Sequence, residues 1–333
     1  MEETEVLDYD SENEIEYLET IRIKNKRLNT LGKILLIPGT VFMILRFENL
    51  IFLTFLGFFL TIVSILLIAI TNHRFKSEMS GSDLFQNVVQ KILPEATIDI
   101  ENGLDELTID ESGLEKLYNR YSSDFLVTGT YNNVKYSCSN VLIQYHTSNG
   151  KNSSTRTMFK GVVYEMDFEK DIDVCLKVFE KKDTHLKSGL SKIEMESIAF
   201  NEKFKTYTND EQNCYYILTP LIQEMMLKIE ETFPGKVEFS YTNGKMFIGI
   251  ESDKVGFNFS LKNSIAENFD YIENQFRLIH SFIDAFKLST SKFTNATTIY
   301  KQNYNVEIYD EECIEKCENE KYNEKKPLAN GWD

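Results

Sequence analysis

Histidines and aspartates are the side chains of this sequence whose types could support chemistry. The four histidines lie far apart along the chain: His73, His146, His185 and His280. None of them has a second ligand at helical or loop spacing, so they predict no metal site. Three aspartates cluster in the segment "MDFEKDID": Asp167, Asp171 and Asp173. Because the glycine and the terminal glutamate of an EF-hand loop are missing there, we expect a solvated turn.

Motifs for phosphate binding and nucleophilic catalysis are absent from the sequence. It contains no G-x-x-x-x-G-K-[ST], no G-x-G-x-x-G and no nucleophile elbow. Cys313 and Cys317 in "CIEKC" would share one face of a helix, but zinc needs two more ligands and none is nearby. The sequence therefore predicts no catalytic residue, no metal and no cofactor.

The segment "TMFKGVVYEMDF" offers the best candidates for an interaction surface. It alternates as a β-strand, and Gly161 lies inside it. A glycine in a strand often marks a bulge or the close approach of another backbone, so it could shape a binding cleft or serve packing alone. Phe159, Gly161 and Asp167 are our candidate interaction residues.

The charge of the chain limits the classes of partner. Its formal net charge is −16, which excludes attraction to the backbone of a nucleic acid because that requires a cationic footprint. An acidic domain is also repelled by an anionic leaflet, so binding to lipid headgroups would need a local basic pocket.

Two apolar segments near the amino terminus predict a transmembrane helical hairpin over residues 31–70. The segment 50–70, "LIFLTFLGFFLTIVSILLIAI", has no charged side chain and would span about 31 Å as a helix. The segment 31–47 is shorter and contains a lysine and a proline, so a re-entrant or interfacial helix remains an alternative for it. The residues that define this hairpin are Leu31, Lys33, Pro38, Gly39, Leu50, Gly57 and Ile70.

Basic residues flank the two predicted spans on the same side. Arg22, Lys24, Lys26 and Arg27 precede the first span, and Arg74 and Lys76 follow the second. The positive-inside rule therefore puts both termini in the cytoplasm. The two glycines at positions 32 and 39, a heptad apart, could let these helices pack together or support a homo-oligomer.

The remaining chain divides by composition into four parts. Residues 1–30 are predicted to be an acidic disordered cytoplasmic tail, and residues 71–82 a linker. Residues 83–290 are expected to form a soluble α+β domain with an antiparallel sheet and packed helices. Residues 291–333 are expected to form an acidic tail.

Local patterns predict the main elements of that domain. Turns at Asn132-Asn133 and Asn243-Gly244 predict two β-hairpins, the first pairing Val127 with Cys138 and the second pairing Phe239 with Ile248. The segment "VCLKVF" is expected to be the partner of the strand that contains Gly161. Helices are predicted over "LFQNVVQKIL", "IEMESIAFNEKFKTY", "LTPLIQEMMLKIEETFPG" and about 264–288. Ser82 or Asp83 is expected to cap the first of these helices, and Thr219 the third.

Several blocks of the sequence resemble a known family. "FKGVVYEMDFEK" (159–170), "FNEKFKTYTNDEQNCYYILTP" (200–220) and "VEFSYTNGKMFIGI" resemble, in the same order, the motifs of bacterial proteins grouped as domain of unknown function 3137. The hairpin at 118–141 fits the family's opening hairpin, so the resemblance covers roughly residues 80–290. It departs from the family at Asn213 and Cys214. The resemblance implies a membrane-tethered cytoplasmic domain without an assigned activity.

We expect a protein-interaction or scaffolding module at the bacterial inner membrane, because catalytic motifs are missing and the hairpin edges could accept a partner strand. Two alternatives remain. One is a small-molecule sensor or enzyme whose site forms only in three dimensions, with His146, His280 and residues 167–173 as the first places to look. The other is a lipid-associated module.

Overall fold

A nine-stranded antiparallel sheet is the centre of the computed structural model. The structure describes residues 2–44, 51–114, 118–150, 152–167, 174–180, 189–233, 235–252 and 256–286. The strands, in chain order, are β1 Thr97–Asp99, β2 Arg120–Tyr131, β3 Val134–Ser148, β4 Ser153–Asp167, β5 Leu176–Glu180, β6 Ser191–Ile193, β7 Phe204–Thr208, β8 Lys236–Thr242 and β9 Lys245–Glu251. Their order in the sheet is β1-β2-β3-β4-β9-β8-β5-β7-β6. The predicted α+β class is confirmed.

Eight helices lie in the described part of the chain. They are α1 Glu2–Ile44, α2 Ile51–Ser80, α3 Asp83–Ile92, α4 Glu106–Ser112, α5 Ile198–Lys203, α6 Glu211–Ile217, α7 Pro220–Thr232 and α8 Ile265–Phe286. The predicted caps of two helices are confirmed. The side chain of Ser82 accepts a hydrogen bond from the backbone N–H of Phe85 at the start of α3, and Thr219 caps α7 ahead of Pro220.

Both predicted hairpins form with the expected register. Val127 pairs with Cys138 around the Asn132-Asn133 turn, and Phe239 pairs with Ile248 around Asn243-Gly244. The three asparagines of these turns have positive φ, which Asn adopts more readily than most residues. Turn chemistry and alternation therefore determined both registers.

The two faces of the sheet are covered differently. Helices α3 and α5–α8 pack on one face, here called the inner face, and form the main core with even-numbered β3 residues such as Tyr136 and Cys138. The opposite, outer face carries a smaller apolar cluster under α4. That cluster consists of Leu104, Ile109, Leu114, Val141, Ile143, Phe159, Val163 and Phe247.

Two predicted elements of the domain are wrong. β5 does not pair with β4; it lies between β7 and β8, and β4 lies between β3 and β9. The predicted helix "IEMESIAFNEKFKTY" is helical only in α5, after which Phe204–Thr208 continue as β7. Both differences follow from sheet pairings between segments distant in sequence, which override local propensity.

The amino-terminal prediction of a disordered tail over residues 1–30 is also wrong. Residues 2–44 form the single helix α1. Leu18 is buried in the main core and Ile15 packs against it, so sparse apolar residues suffice to dock this helix. The predicted linker 71–82 is likewise mostly helical, because α2 continues through Ser80 and buries Phe75 and Met79 in the same core.

Helices α1 and α2 pack against each other as an antiparallel pair. The Asn29 side chain donates hydrogen bonds to Thr71 Oγ1 (3.2 Å) and Asn72 Oδ1 (2.9 Å). One helix of the described chain, Phe52–Ser80, is long and apolar enough to cross a membrane by length and composition. The first predicted span does not meet that test, because α1 offers only residues 31–44 of it and the rest lies outside the described residues.

Candidate functional site

Phe159 lies inside the protein and not on its surface. Its side chain is 3% exposed and packs in the apolar cluster of the outer face, beside Ile143, its partner on β3. Helix α4 covers this cluster with Ile109, which is fully buried. Phe159 therefore contributes packing and cannot contact a partner directly.

Gly161 marks a close approach of another backbone, one of the two roles that the sequence suggested. A Cβ atom at this position would lie 1.8 Å from the carbonyl oxygen of Ile250. Gly161 is the first β4 residue that pairs with β9, and it lies opposite Glu251, the last residue of β9. Beyond it the chain leaves the sheet, and the backbone N–H of Phe257 donates to Asn140 Oδ1 (2.8 Å). Gly161 therefore permits β9 to end here.

Asp167 is exposed at the other end of the β4–β9 pairing, opposite Lys245. Phe159, Gly161 and Asp167 share one face of β4 but form no common surface, because the first two are buried. Asp171 and Asp173 lie outside the described residues. Among the described residues, no group of three or more His, Cys, Asp or Glu side chains could hold a metal ion.

The two histidines proposed for a three-dimensional site are far apart. His146 Nδ1 lies 2.9 Å from Thr155 Oγ1 near the carboxyl end of β3. The ring of His280, on α8, stacks on Tyr131 with centroids 3.7 Å apart, next to the start of β3. About twelve strand residues separate these positions, which corresponds to roughly 40 Å.

The predicted hairpin residues lie mainly at, or opposite, the contact between α1 and α2. A Cβ atom on Gly39 would lie 2.7 Å from Thr61 Oγ1 and 3.3 Å from the carbonyl oxygen of Gly57. Gly57 is buried, and α1 continues through Pro38. Leu31, Lys33 and Ile70 are exposed on the outside of the pair, and Leu50 lies outside the described residues.

A polar network joins the end of α2 to the sheet. Lys76 Nζ donates to Asp124 Oδ2 (2.6 Å) on β2, and Asn140 Nδ2 on β3 donates to Asp124 Oδ1 (2.8 Å). Asn140 also holds the backbone of Phe257 through its N–H and its carbonyl oxygen (2.8 and 3.1 Å). Four segments distant in sequence are therefore tied together at one point.

Phe125 lies at the centre of this junction. Its φ of +59° is uncommon for a bulky residue, and it falls where the β2–β3 register shifts between Asp124 and Val127. The ring stacks on Phe257 with centroids 5.3 Å apart, and Lys76 Nζ lies 5.9 Å from its centre. Burial on all sides holds this residue in its strained conformation.

A polar cleft opens on the outer face of the sheet. The carbonyl oxygen of Leu104 accepts hydrogen bonds from Tyr121 Oη (2.6 Å) and Ser123 Oγ (2.8 Å), which fixes the loop before α4 over β2. The cleft beside it has a volume of about 510 Å³. It is lined by Asn102, Gly103, Leu104, Asp105, Glu106, Thr108, Tyr121, Ser123, Leu126, Thr128, Ser137 and Glu165.

Carboxylates give this cleft a negative lining. Asp105 and Glu106 are exposed at its rim, and Glu165 is buried at its floor, where it pairs with Lys245. That hydrogen bond raises the pKa of Lys245 above its ordinary value, so the lysine stays charged. Burial raises the pKa of the Tyr121 hydroxyl, which stays protonated as a donor. The arrangement could accept hydrogen bonds from a polar or cationic molecule.

Neither the junction nor the cleft was predicted from the sequence. Asp124, Asn140 and Lys76 are ordinary polar residues in their local segments, and they meet only because β2, β3 and α2 converge. The strongest available signal was the position of Asp124 directly before the apolar run that begins at Phe125.

Comparisons with known proteins show that part of the chain is similar to a family. Residues 157–288 match the family described as protein of unknown function, DUF3137. The blocks at 159–170, 200–220 and 237–250 lie within this match, whereas the hairpin at 118–141 precedes it. No curated protein sequence matches the chain. A solved structure, that of the mycobacterial trehalose monomycolate transport factor A, TtfA, aligns with 6% identity and a TM-score of 0.31 over 61% of this chain and 88% of that chain.

Proposed function

We propose that this chain, whose residues 157–288 match the family model of a protein of unknown function, DUF3137, is a membrane-anchored module that acts by binding another protein. In this proposal helix α2, with α1 packed against it, crosses the bacterial inner membrane as a two-helix hairpin. The α+β domain then lies on the cytoplasmic face with both termini.

The observation that carries this proposal is the surface of α2. Large apolar side chains are exposed along it, including Phe52, Phe55, Phe59 and Leu66. In water this surface would be unfavourable, whereas a hydrocarbon core about 30 Å thick would cover the stretch from Phe52 to Ile70. Farther along the same helix, Phe75 and Met79 are buried in the domain core. One helix thus has a surface suited to lipid and a surface suited to protein.

The register of the helix pair supports the orientation. Contacts between Asn29 and Thr71, and between Gly32 and Ile68, place the two helices antiparallel and in register. The basic residues that precede position 29 on α1 and follow position 72 on α2 therefore lie at a similar height, on the domain side. They are Arg22, Lys24, Lys26, Arg27, Arg74 and Lys76. By the positive-inside rule, these basic residues favour the cytoplasmic side for the domain.

Extraction of the full-length chain from membranes tests the anchor. We expect it to stay in the pellet after alkaline carbonate treatment, and a protease outside spheroplasts to leave the domain intact. The double variant Phe59→Lys/Leu66→Lys should shift the chain to the soluble or aggregated fraction, because each charge at mid-span costs about 2.5–3.5 kcal/mol. The matched variant Leu107→Lys/Ile198→Lys alters exposed domain residues and should stay in the pellet. Release of the unaltered chain by carbonate would refute the anchor.

Photo-cross-linking in intact cells tests the binding of a protein. A photoreactive residue at Leu107 or Tyr145, both exposed, should give a discrete adduct at native expression if a partner docks on the outer face or the β3–β4 hairpin. The same residue at Ile198, on the exposed part of α5, serves as the control position. Absence of adducts at every exposed position tested would contradict the role.

The polar cleft favours a second candidate function, the binding of a small molecule. Its hydroxyl and carboxylate lining suits a ligand that donates several hydrogen bonds, such as a polyamine or a polyol. Thermal unfolding of the full chain with spermidine or glucose tests this. Ser137→Leu would fill the cleft and should abolish any stabilisation, whereas Ser122→Leu, exposed on β2 but outside the cleft lining, should not. If neither compound stabilises the chain, or if Ser137→Leu leaves the effect unchanged, this candidate fails.

A further inference from the structure

The β3–β4 hairpin extends beyond the rest of the sheet. The two strands pair from Tyr136–Met166 to Ser148–Ser153, but β2 begins only at Arg120, opposite Gln144. On the other side, β9 ends at Glu251, opposite Gly161. Beyond the Gln144–Thr157 pair the hairpin is therefore a two-stranded ribbon; this end, with that pair as its base, is here called the arm (144–157).

One edge of the arm has no neighbouring strand among the described residues. Along Ser153–Thr157 β4 pairs with β3 only, and every one of these five residues is exposed. The sequence there, "SSTRT", contains neither proline nor glycine, and two of its residues are β-branched. A strand edge of this kind presents backbone N–H and C=O groups to which an extended peptide can add.

The arm is basic in an acidic chain. The forty residues from Phe125 to Tyr164 contain no aspartate or glutamate, and they contain three lysines and one arginine. Arg156 is the fourth of the five residues of the edge segment, is exposed, and forms no ion pair with a described carboxylate. Arg120, at the start of β2, adds a further exposed positive charge near the base of the arm. This edge would therefore attract an acidic partner protein and repel a basic one.

The tip of the arm argues against insertion into lipid. It consists of Ser148, Asn149 and Gly150, followed by Lys151 and Asn152 in the sequence. Segments that insert into the membrane interface carry Trp, Phe or Leu where they enter it, and none is present here. A lipid headgroup can bond a single N–H group through its phosphate, whereas an extended polypeptide matches the whole alternating row of N–H and C=O groups along the edge.

We propose that the β4 edge of the arm, Ser153–Thr157, binds an acidic, extended segment of a partner protein by adding it to the sheet as a strand. Backbone hydrogen bonds would supply affinity, and Arg156 would select for carboxylates. This inference rests on the protein-binding role proposed above but not on the membrane anchor.

Binding of designed peptides to the full-length chain in phosphatidylcholine nanodiscs tests the proposal. The probe is an octapeptide in which glutamate and valine alternate, and binding is measured by fluorescence anisotropy. We expect saturable binding, at least a tenfold weaker affinity for Arg156→Glu, and no change for Lys135→Glu, a matched exposed lysine at the opposite end of β3. A peptide of alternating lysine and valine should not bind.

A second probe separates strand addition from simple charge attraction. The same acidic octapeptide is made in two N-methylated forms, one methylated at every glutamate and one at every valine. Each form keeps its charge and loses the backbone donors along one edge. Strand addition uses the donors of one edge, so one of the two methylated peptides should not bind. Equal binding of both methylated peptides would overturn strand addition, and failure of the unmethylated peptide to bind would overturn the site.

Lipid is the competing ligand, and binding to vesicles is the third measurement. If the chain shows no peptide binding but binds phosphatidylglycerol vesicles in a manner that Arg156→Glu abolishes, the arm is a lipid site and the proposal is wrong. A partner captured from the photoreactive residue at Leu107 alone, together with failure of the peptide, would retain the protein-binding role and reject this edge as its site.

Discussion

The carboxylate of Glu19 on α1 accepts a hydrogen bond from the backbone N–H of Ile265, the first residue of α8, across 3.3 Å. Arg22, one turn later, bonds the same carboxylate and donates to the carbonyl oxygen of Leu261 (3.0 Å). A third contact is similar: Glu14 accepts from the backbone N–H of Leu84 at the start of α3 (2.9 Å). Helix α1 therefore supplies negative charge to the amino termini of two domain helices, where the helix dipole favours it.

Replacement of Glu19 by glutamine should weaken this docking in a manner that depends on pH. The hydrogen bond with Arg22 holds the pKa of Glu19 below its ordinary value, while partial burial opposes the shift. The stability that the charged carboxylate contributes is therefore complete above the ordinary value of about 4.3 and is lost as the pH falls through the lowered pKa. At pH 7 we expect Glu19→Gln to cost about 0.5–1.5 kcal/mol in thermal unfolding.

The matched control is Glu16→Gln, which removes an exposed charge from the same helix. It should leave the apparent melting temperature unchanged at pH 7. A cost for Glu19→Gln that persisted undiminished near pH 3 would show that the charge of Glu19 is not its cause.

Two asparagines that hold backbone in the same way should differ in their importance. Asn140 bonds both backbone groups of Phe257 inside the junction, and Asn119 bonds both backbone groups of His146 on the exposed arm (2.6 and 2.7 Å). Asn140→Ala would leave partly buried groups without partners, so we expect a loss of about 2–3 kcal/mol in chemical denaturation. Asn119→Ala exposes its partners to water and should cost less than half as much. Equal costs would mean that the junction is not a point of stability.

Substitution of Gly161 by alanine should disturb the end of β9. The added Cβ would meet the backbone carbonyl of Ile250 at 1.8 Å, and a backbone atom cannot move aside without breaking the strand pairing. We expect a loss of about 1–3 kcal/mol, measured by denaturant unfolding, from this overpacking. Gly249→Ala on the neighbouring strand is the control, since its nearest atoms are the side chains of Leu114 and Phe159 at 3.2 and 3.3 Å. If both variants were equally stable, the close approach would carry no strain.

A leucine in place of Gly39 should separate α1 from α2. Its Cβ would lie 2.7 Å from Thr61 Oγ1 and 3.0 Å from the backbone nitrogen of Thr61, so the helices could not keep their distance. We expect the apparent melting temperature in detergent to fall, corresponding to about 1–3 kcal/mol. Val41→Leu changes an exposed neighbour on the same helix and should have little effect. Unchanged stability for Gly39→Leu would contradict the tight packing of the pair.

The sequence predicted the features that depend on residues close together along the chain. The Asn132-Asn133 and Asn243-Gly244 turns, the Ser82 cap and the Thr219 cap depend on a few consecutive residues, and each was found where expected. The pairing of β4 with β9, and of β5 with β8, joins segments far apart, and alternation does not encode the partner.

The candidate surface shows the same division. The alternation of apolar and polar residues identified the strand that contains Phe159. It did not show that α4 would cover the Phe159 side chain. The acidic amino terminus hid an amphipathic contact: among the described side chains before position 23, Ile15 and Leu18 belong to the main core, whereas Glu14 and Glu19 make polar contacts with the domain. Composition could not reveal charges that serve as caps for distant helices.

Only Gly81 and Ser82 separate α2 from α3. Phe75 is held by the core and Lys76 by the junction, so the exposed apolar part of the helix has no flexible connection to the sheet. If the proposed hairpin tilts to match a thinner bilayer, the whole sheet must tilt with it. The arm lies at the periphery of the sheet and would be displaced the most. The height of the arm above the lipid would thus be set by membrane thickness.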